Sequence, residues 1–206
     1  MATIISDSSF TDENHKPQEL HEKCVSLASN LWWAWSPDTI ELFRDLDPVL
    51  WRQTGHNPIQ LLRAFSPLEL DQRVTEMALH SRINHCYRLL KEYLAQRRGW
   101  GIQNAGVLGA RPVAYFSAEF GIHESMPIYS GGLGVLSGDH VKSASDLGIP
   151  MVCVGLFYGQ GYFRQFLDDN GYQREEYVDT NVDDIAMRPA LDQNQHPVQV
   201  NIETRE

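Results

Sequence analysis

From Pro17 onward, apolar side chains recur at intervals of three and four: Leu20, Cys24, Leu27, Leu31 and Trp35 share one side of a helix running into the segment LWWAW. A spacing near 3.6 residues marks an amphipathic helix with that stripe turned towards a core. Ser36-Pro37-Asp38 interrupts it and starts a second, short helix whose apolar residues are Ile40, Leu42, Phe43 and Leu46. Asp47-Pro48, Asn57-Pro58 and Ser66-Pro67 repeat that signal. In each, a side chain able to accept from the free amides of a first turn precedes a proline, whose missing N–H costs nothing at that position. A longer helix is predicted over 68–98, with Leu79, Ile83, Cys86, Leu89, Leu90, Tyr93 and Leu94 as its face and Gly99 as its end. Residues 1–16 are polar and aperiodic and read as a disordered start.

Beyond Gly101 and Gly106 the period changes. Val113–Phe116 is a short apolar run of strand type, a helix is predicted from about Gly132 to Asp146, and Met151–Tyr158 reads as a second strand. Strand, glycine loop, helix, strand is the βαβ order that pairs two strands in parallel. Asp168-Asp169-Asn170-Gly171 signals a turn between two antiparallel strands, and Pro197–Glu203 reads as a further strand. The expected fold class is α/β, with an all-α region at 17–105 and an incomplete parallel-sheet domain at 106–206. Two crossover strands fall short of a finished α/β sheet, so truncation is the expectation.

With 206 residues, 42% hydrophobic and 21% charged, the chain has enough apolar material for a real core. A formal net charge of -10 argues against a nucleic-acid partner, which needs clustered Lys and Arg. The acidity is uneven: residues 1–110 hold 11 basic and 13 acidic side chains, and residues 111–206 hold 6 and 14. No leader pattern opens the chain and no stretch has the length of a membrane span, so a cytoplasmic location is expected. Cys24, Cys86 and Cys153 are widely spaced and odd in number, which suits reduced core thiols better than disulfides or zinc.

The strongest local signal for chemistry is Tyr129-Ser130-Gly131-Gly132-Leu133-Gly134, between a strand region and a helix start. Glycines there let backbone amides approach a ligand, and a helix N-terminus favours an anion. Glycines serving only a tight turn are the plainer alternative, favoured on a glycine count alone. The loop is neither the dinucleotide fingerprint nor the lysine-bearing P-loop. Glu119 stands at the carboxyl end of the first strand, where open α/β sheets bind ligands; it suits sugar hydroxyls and equally the capping of a loop amide. His123, Glu124, Asp139 and His140 surround the loop without metal-ligand spacing, so no metal is expected. Trp32, Trp33 and Trp35 would stack on sugar rings, but their helical spacing points first to a core.

These residues carry a resemblance. The stretch YFSAEFGIHESMPIYSGGLGVLSGDHVKSASDLGIPMVCVGLFYGQGYFRQFLDDNGYQREEY, residues 115–177, closely resembles the first sugar-binding domain of bacterial α-glucan phosphorylases. LASNLWWAWSPDTIELFRDLDPVLWRQTGHNPIQLL, residues 27–62, is similar to the helical domain that precedes it in that subgroup. The resemblance covers about residues 17–206. It implies a GT-B architecture of two Rossmann-like halves, of which this chain would begin the first, and phosphorolysis of α-1,4-glucan by inorganic phosphate to glucose 1-phosphate. By matching position, Ser130, Gly131, Gly132, Leu133 and Gly134 inherit a place beside the cofactor phosphate and the transferred sugar, and Glu119 a place in the cleft. The implied cofactor is pyridoxal 5'-phosphate, held by a lysine of the second half; Lys16, Lys23, Lys91 and Lys142 all lie outside any segment like that motif. A homo-oligomer is compatible with the resemblance. Val135 follows the loop where animal-type phosphorylases carry arginine, which separates this chain from their regulation. Two other readings stay open: a glycogen- or starch-synthase-like transferase, against which Ser130 and Val135 count because synthases place lysine and aspartate there, and a non-catalytic glucan-binding module.

Overall fold

The computed structural model describes residues 17–95 and 99–200, so the start at 1–16, the predicted helix end at 96–98 and residues 201–203 of the last predicted strand lie outside it. Eight α-helices and four strands follow one another among the described residues, seven of the helices ahead of the first strand. Helix α1 (Pro17–Ser29) buries Leu20, Cys24, Leu27 and Ala28, and Asn30 then caps a 3-10 turn over Leu31–Trp35. The apolar stripe therefore bends here instead of running on as one helix: Leu31 and Trp35 are only half-buried, whereas Trp33 is buried.

Helices α2 (Pro37–Leu46), α3 (Pro48–Gln53), α4 (Pro58–Arg63) and α5 (Pro67–Glu76) all begin at the prolines the sequence marks. Asp47 and Asn57 each accept from two first-turn amides, and Ser66 with Glu69 forms a reciprocal capping box.

The single helix predicted over 68–98 is instead two, α5 and α6 (His80–Leu94). Met77, Ala78 and Leu79 separate them: the Ala78 amide donates to Thr75 O and the Leu79 amide to Val74 O, closing α5 in a Schellman turn. Ala78 takes the left-handed position, φ 52, that glycine usually fills, so no breaker announces the stop. Buried Leu79 packing beside Val74 supplies the apolar contact of that motif. The predicted face is also narrower than expected, since Leu94 is exposed.

One core spans these helices. Trp33 meets Phe43 edge-on at 6.2 Å and Trp51 at 6.1 Å, and Phe43 stacks on Trp51. Leu20, Leu27, Leu61, Leu70, Ile83 and Leu90 fill the space around them. Trp33 is thus a core residue and Trp32 packs half-buried against that core, whereas Trp35, also half-buried, is not part of it.

A short helix α7 (Trp100–Asn104), not signalled by the sequence, leads to β1 (Val113–Phe116). Helix α8 (Gly132–Leu147) joins β1 to β2 (Met151–Val154), which pairs in parallel with it from Val113 opposite Met151 to Phe116 opposite Val154. The second strand stops at Val154, four residues before its predicted end at Tyr158. Strands β3 (Arg164–Leu167) and β4 (Gln173–Glu176) form the expected antiparallel pair, with Gly171 at φ 79 in the turn. The predicted strand at 197–203 does not form over its described part, where Pro197 makes only an isolated bridge to Leu191. The architecture is mixed α/β. Among the described residues no helix is long and apolar enough to cross a membrane.

Cys24 and Cys86 are free and buried in the helical core; burial pushes the Cys24 thiol up to about 12, with Cys86 as a second cause. Cys153 contradicts the expectation of a core thiol, because β2 is covered on too little of its surface and the residue is exposed.

Candidate glycine-loop site

Strand β1 ends at Phe116 and the chain turns through Ser117-Ala118 to Glu119, whose carboxylate reaches across to the glycine loop. Glu119 Oε2 accepts from the amides of Ser130 (2.9 Å) and Gly131 (3.3 Å), and Oε1 from the Ser130 hydroxyl (2.8 Å). Those donors, the Ser130 amide foremost, hold the carboxyl below the usual glutamate range, so it is a carboxylate at neutral pH. The Ser137 hydroxyl donates to Glu119 O, and the Gly121 amide donates to Gly134 O at 2.7 Å. The loop is thereby tied to the helix on one side and to the strand end on the other.

The glycines divide into two kinds. A Cβ on Gly138 would lie 2.1 Å from Gly121 O, and one on Gly134 would lie 2.6 Å from Tyr129 Cβ and 2.8 Å from Glu119 Oε2. Gly138 lets helix α8 pack against the Gly121 backbone, and Gly134 lets it pack against the Tyr129 and Glu119 side chains. A Cβ on Gly131 or Gly132, by contrast, would meet nothing within 4 Å. Gly131, Gly132 and Leu133 are exposed at the start of α8, where Gly131 is the N-cap and the Glu119 carboxylate, accepting from its amide, is the side chain that reaches the helix start. Packing therefore accounts for the second half of the motif and leaves the first half to be explained by what approaches it.

The helical region grips this site from behind. Trp33 meets the His123 ring at 4.5 Å, and the Ser125 amide donates to His123 Nδ1, which puts the proton of the neutral ring on Nε2. Burial lowers the His123 pKa, with Glu124 opposing and His56 and Lys142 adding to the shift. His56 pairs with Glu124 at 2.9 Å. At the far end of α8, Trp35 Nε1 donates to Asp146 (3.1 Å), and the Tyr93 hydroxyl hydrogen-bonds with Ser145 Oγ (2.7 Å) and donates to Asp146 (2.8 Å). Gly99 and Gly101 allow α7 to touch the Leu147–Gly148 backbone, where added Cβ atoms would come within 2.7 and 2.5 Å of carbonyl oxygens. Sequence reasoning reads these two glycines as breaks; their packing role appears only once α8 lies against them.

Ser130 also opens onto a cavity of about 790 Å³ between α3–α4, the 124–130 segment and the 161–185 segment. Its polar residues, Arg52, Gln60 and Arg164 among them, escape sequence reasoning because no motif links segments so far apart. Asp139 and His140 lie on exposed turns of α8, with His140 packed 5.0 Å from Tyr115. Among the described residues no group of three or more His, Cys, Asp or Glu is arranged to hold a metal ion.

Comparison with known proteins adds an independent line. A family model described as "Protein of unknown function (DUF3417)" matches residues 17–126. The chain is 42% identical to a glycogen phosphorylase of Mycobacterium tuberculosis over 94% of its own length and 23% of that protein's. It is 35% identical to a glycogen phosphorylase of Aquifex aeolicus over 85% of its length (24% of that protein). With a maltodextrin phosphorylase of Thermococcus litoralis it shares 36% identity over 92% of its length (23% of that protein). The chain thus spans about a quarter of the length of the curated relatives it matches. No solved structure matches it.

Proposed function

The chain belongs to the DUF3417 family, and we propose that it supplies one portion of an α-glucan phosphorylase, the portion carrying the glycine loop that faces the transferred sugar and an anionic group. The reaction is reversible glucosyl transfer from α-1,4-glucan to inorganic phosphate, giving glucose 1-phosphate. The observation that carries this reading is the open space over Gly131 and Gly132 at an exposed helix start, in a chain similar to phosphorylases over nearly all its length. In this reading residues 17–105 are a helical domain and 106–206 the beginning of a Rossmann-like half of a GT-B fold, in a cytoplasmic enzyme.

Ser130, Gly131, Gly132, Leu133 and Gly134 bind and orient. The first turn of α8 adds a positive end to which a phosphate oxygen is drawn, while Gly134 keeps the helix close enough to present it. Glu119 acts as a positioning residue: by accepting from Ser130 and Gly131 it fixes the loop, and in this reading it borders the cleft that the sugar would occupy. Pyridoxal 5'-phosphate fits this loop through its phosphate end, since Gly131 and Gly132 leave room and the α8 amides suit an anion. When bound, that phosphate supplies a proton-transfer partner for the substrate phosphate. Lys142 is not its attachment point: it lies ten residues along α8 from Gly132, about 15 Å of helix rise away.

The test is phosphate-dependent release of glucose 1-phosphate from maltoheptaose by the complete gene product containing these residues, supplied with pyridoxal 5'-phosphate. Release that requires phosphate supports the reading. Glucosyl transfer from a nucleotide sugar, with none to phosphate, replaces it with the synthase-like alternative.

A further inference from the structure

We propose that Trp35 and Tyr93 are positioning residues for the glycine loop: by holding Ser145 and Asp146 at the far end of α8, they set the tilt of that helix and so where Ser130 to Gly134 stand. The segment Leu31–Trp35 sends its tryptophans to three places. Trp33 meets His123, in the stretch that leads into the loop, at 4.5 Å. Trp32 packs on the Tyr93 ring at 5.3 Å, and Trp35 Nε1 donates to Asp146 Oδ1 at 3.1 Å. One turn, capped by Asn30 and closed by the Ser36 amide on Trp33 O, therefore touches the chain both before the loop and beyond it. Asp146 Oδ1 also accepts from the Tyr93 hydroxyl, which hydrogen-bonds with Ser145 Oγ as well. Burial foremost pushes the Tyr93 hydroxyl up to about 12, so at neutral pH it stays a donor.

Helix α8 is poorly oriented by packing of its own. Among the described residues it buries only Gly134, Ser137, Gly138 and Ala144, while Leu133, Val135, Leu136 and Leu147 are exposed. Its close contact near the middle is Gly138 on the Gly121 backbone, where an added Cβ would lie 2.1 Å from the carbonyl oxygen. Gly132 lies six residues before that point, about 9 Å of rise, and Asp146 eight residues after it, about 12 Å. A tilt about Gly138 that moves the Asp146 end by about 1 Å thus moves Gly132 by about 0.8 Å, beyond the roughly 0.5 Å within which a reacting constellation must be held. The bonds from Gly121 to Gly134 O and from Ser137 to Glu119 O lie close to that pivot, so they resist a tilt less than contacts at the end of the helix do. Glu119 grips the loop through a side chain of rotatable bonds, which can follow such a shift. That the loop is where sugar and phosphate meet rests on the phosphorylase reading; that its place is set through α8 rests on these contacts alone.

The experiment measures amide hydrogen exchange by mass spectrometry, together with kcat and KM for maltoheptaose, in the complete gene product and in its Tyr93→Phe and Trp35→Phe variants. Each variant keeps an aromatic ring and loses the donor to Asp146. The expected result is exchange at residues 129–134 faster by about threefold to tenfold, the factor carried by one lost hydrogen bond, and a kcat lower by a similar factor while KM changes less than about twofold. Asp146→Asn, which keeps an acceptor oxygen, should stay within about twofold of the parent in both readouts, whereas Asp146→Ala should match the ring variants. Should Trp35→Phe fail to fold, Tyr93→Phe, on α6, carries the same prediction. Faster exchange confined to residues 143–150, with the loop and kcat unmoved, would overturn the proposal, as would a rate that falls only in step with the unfolding midpoint. A parent protein that releases glucose 1-phosphate while its variants leave loop exchange unchanged sinks this inference alone. One without phosphorolysis, whose loop exchange still answers to Tyr93, sinks the phosphorylase reading alone.

Discussion

Leucine, valine and aromatic residues run through both the helical region and the strand-bearing region, but they end in opposite environments. In the first, Leu20, Trp33, Phe43, Leu61, Leu70 and Ile83 are all within 1% of full burial. In the second, Phe116 and Leu167 are each 71% exposed and Leu136 70%. The difference follows from how each element satisfies its backbone. A helix closes its own hydrogen bonds, so six short helices, three of them with side-chain caps, can turn all their stripes inward at once. A two-stranded sheet leaves both edges and most of both faces uncovered, and needs further layers to bury them. The strand-bearing region is instead steadied from the helical side, through His123 on Trp33, Asp146 on Trp35 and Tyr93, and Gly101 against Gly148. Stability resides in one region and the candidate chemistry in the other, with the glycine loop held at their junction.

The largest effect should come from the helical core. Phe43→Ala is expected to cost about 3–5 kcal/mol in denaturant unfolding, whereas Leu136→Ala should stay within about 0.5 kcal/mol; similar costs at both sites would erase the contrast. Next comes the junction itself. Gly138→Ala should cost about 1–3 kcal/mol, because its Cβ would meet Gly121 O at 2.1 Å and α8 must move. Tyr93→Phe should cost about 0.5–1.5 kcal/mol through loss of the bonds to Ser145 and Asp146.

The smallest effect is a pH dependence. His123 has a folded pKa below its ordinary value of about 6.5, chiefly from burial, so the unfolded chain binds the proton more readily. Its contribution to stability is complete above the unfolded pKa and is lost as pH falls through the folded one. The thermal midpoint should therefore drop on acidification below about pH 6.5, and His123→Gln should flatten that drop. An unchanged slope in the variant would remove His123 from the junction.

Much of this was legible in the sequence. The four proline-marked helix starts, β1, α8 and the hairpin turn at Gly171 all stand where periodicity, caps and turn residues put them. The break at Ala78 was hidden because an alanine occupies a glycine's conformation, and α7 because its glycines are chosen for contact with α8. For the site, the sequence picks out Ser130 to Gly134 and Glu119 but leaves their roles undivided. Only the surroundings separate Gly134, which packs, from Gly131 and Gly132, which do not. The cavity lining was invisible, since α3–α4 and the 161–185 segment, far apart in the chain, are brought together by Asn57 and Arg63 meeting Asp184.

That separation of glycines is where the account is most exposed to test. The measurement is Gly132→Ala in the complete gene product, reading glucose 1-phosphate release and the unfolding midpoint together. The added methyl meets no protein atom within 4 Å, and alanine is the better helix former by about 0.5–1 kcal/mol. The account predicts an unchanged or raised midpoint and a rate reduced about tenfold or more, equivalent to about 1.4 kcal/mol of barrier. An unchanged rate, or a rate that falls only because the midpoint falls, would contradict it.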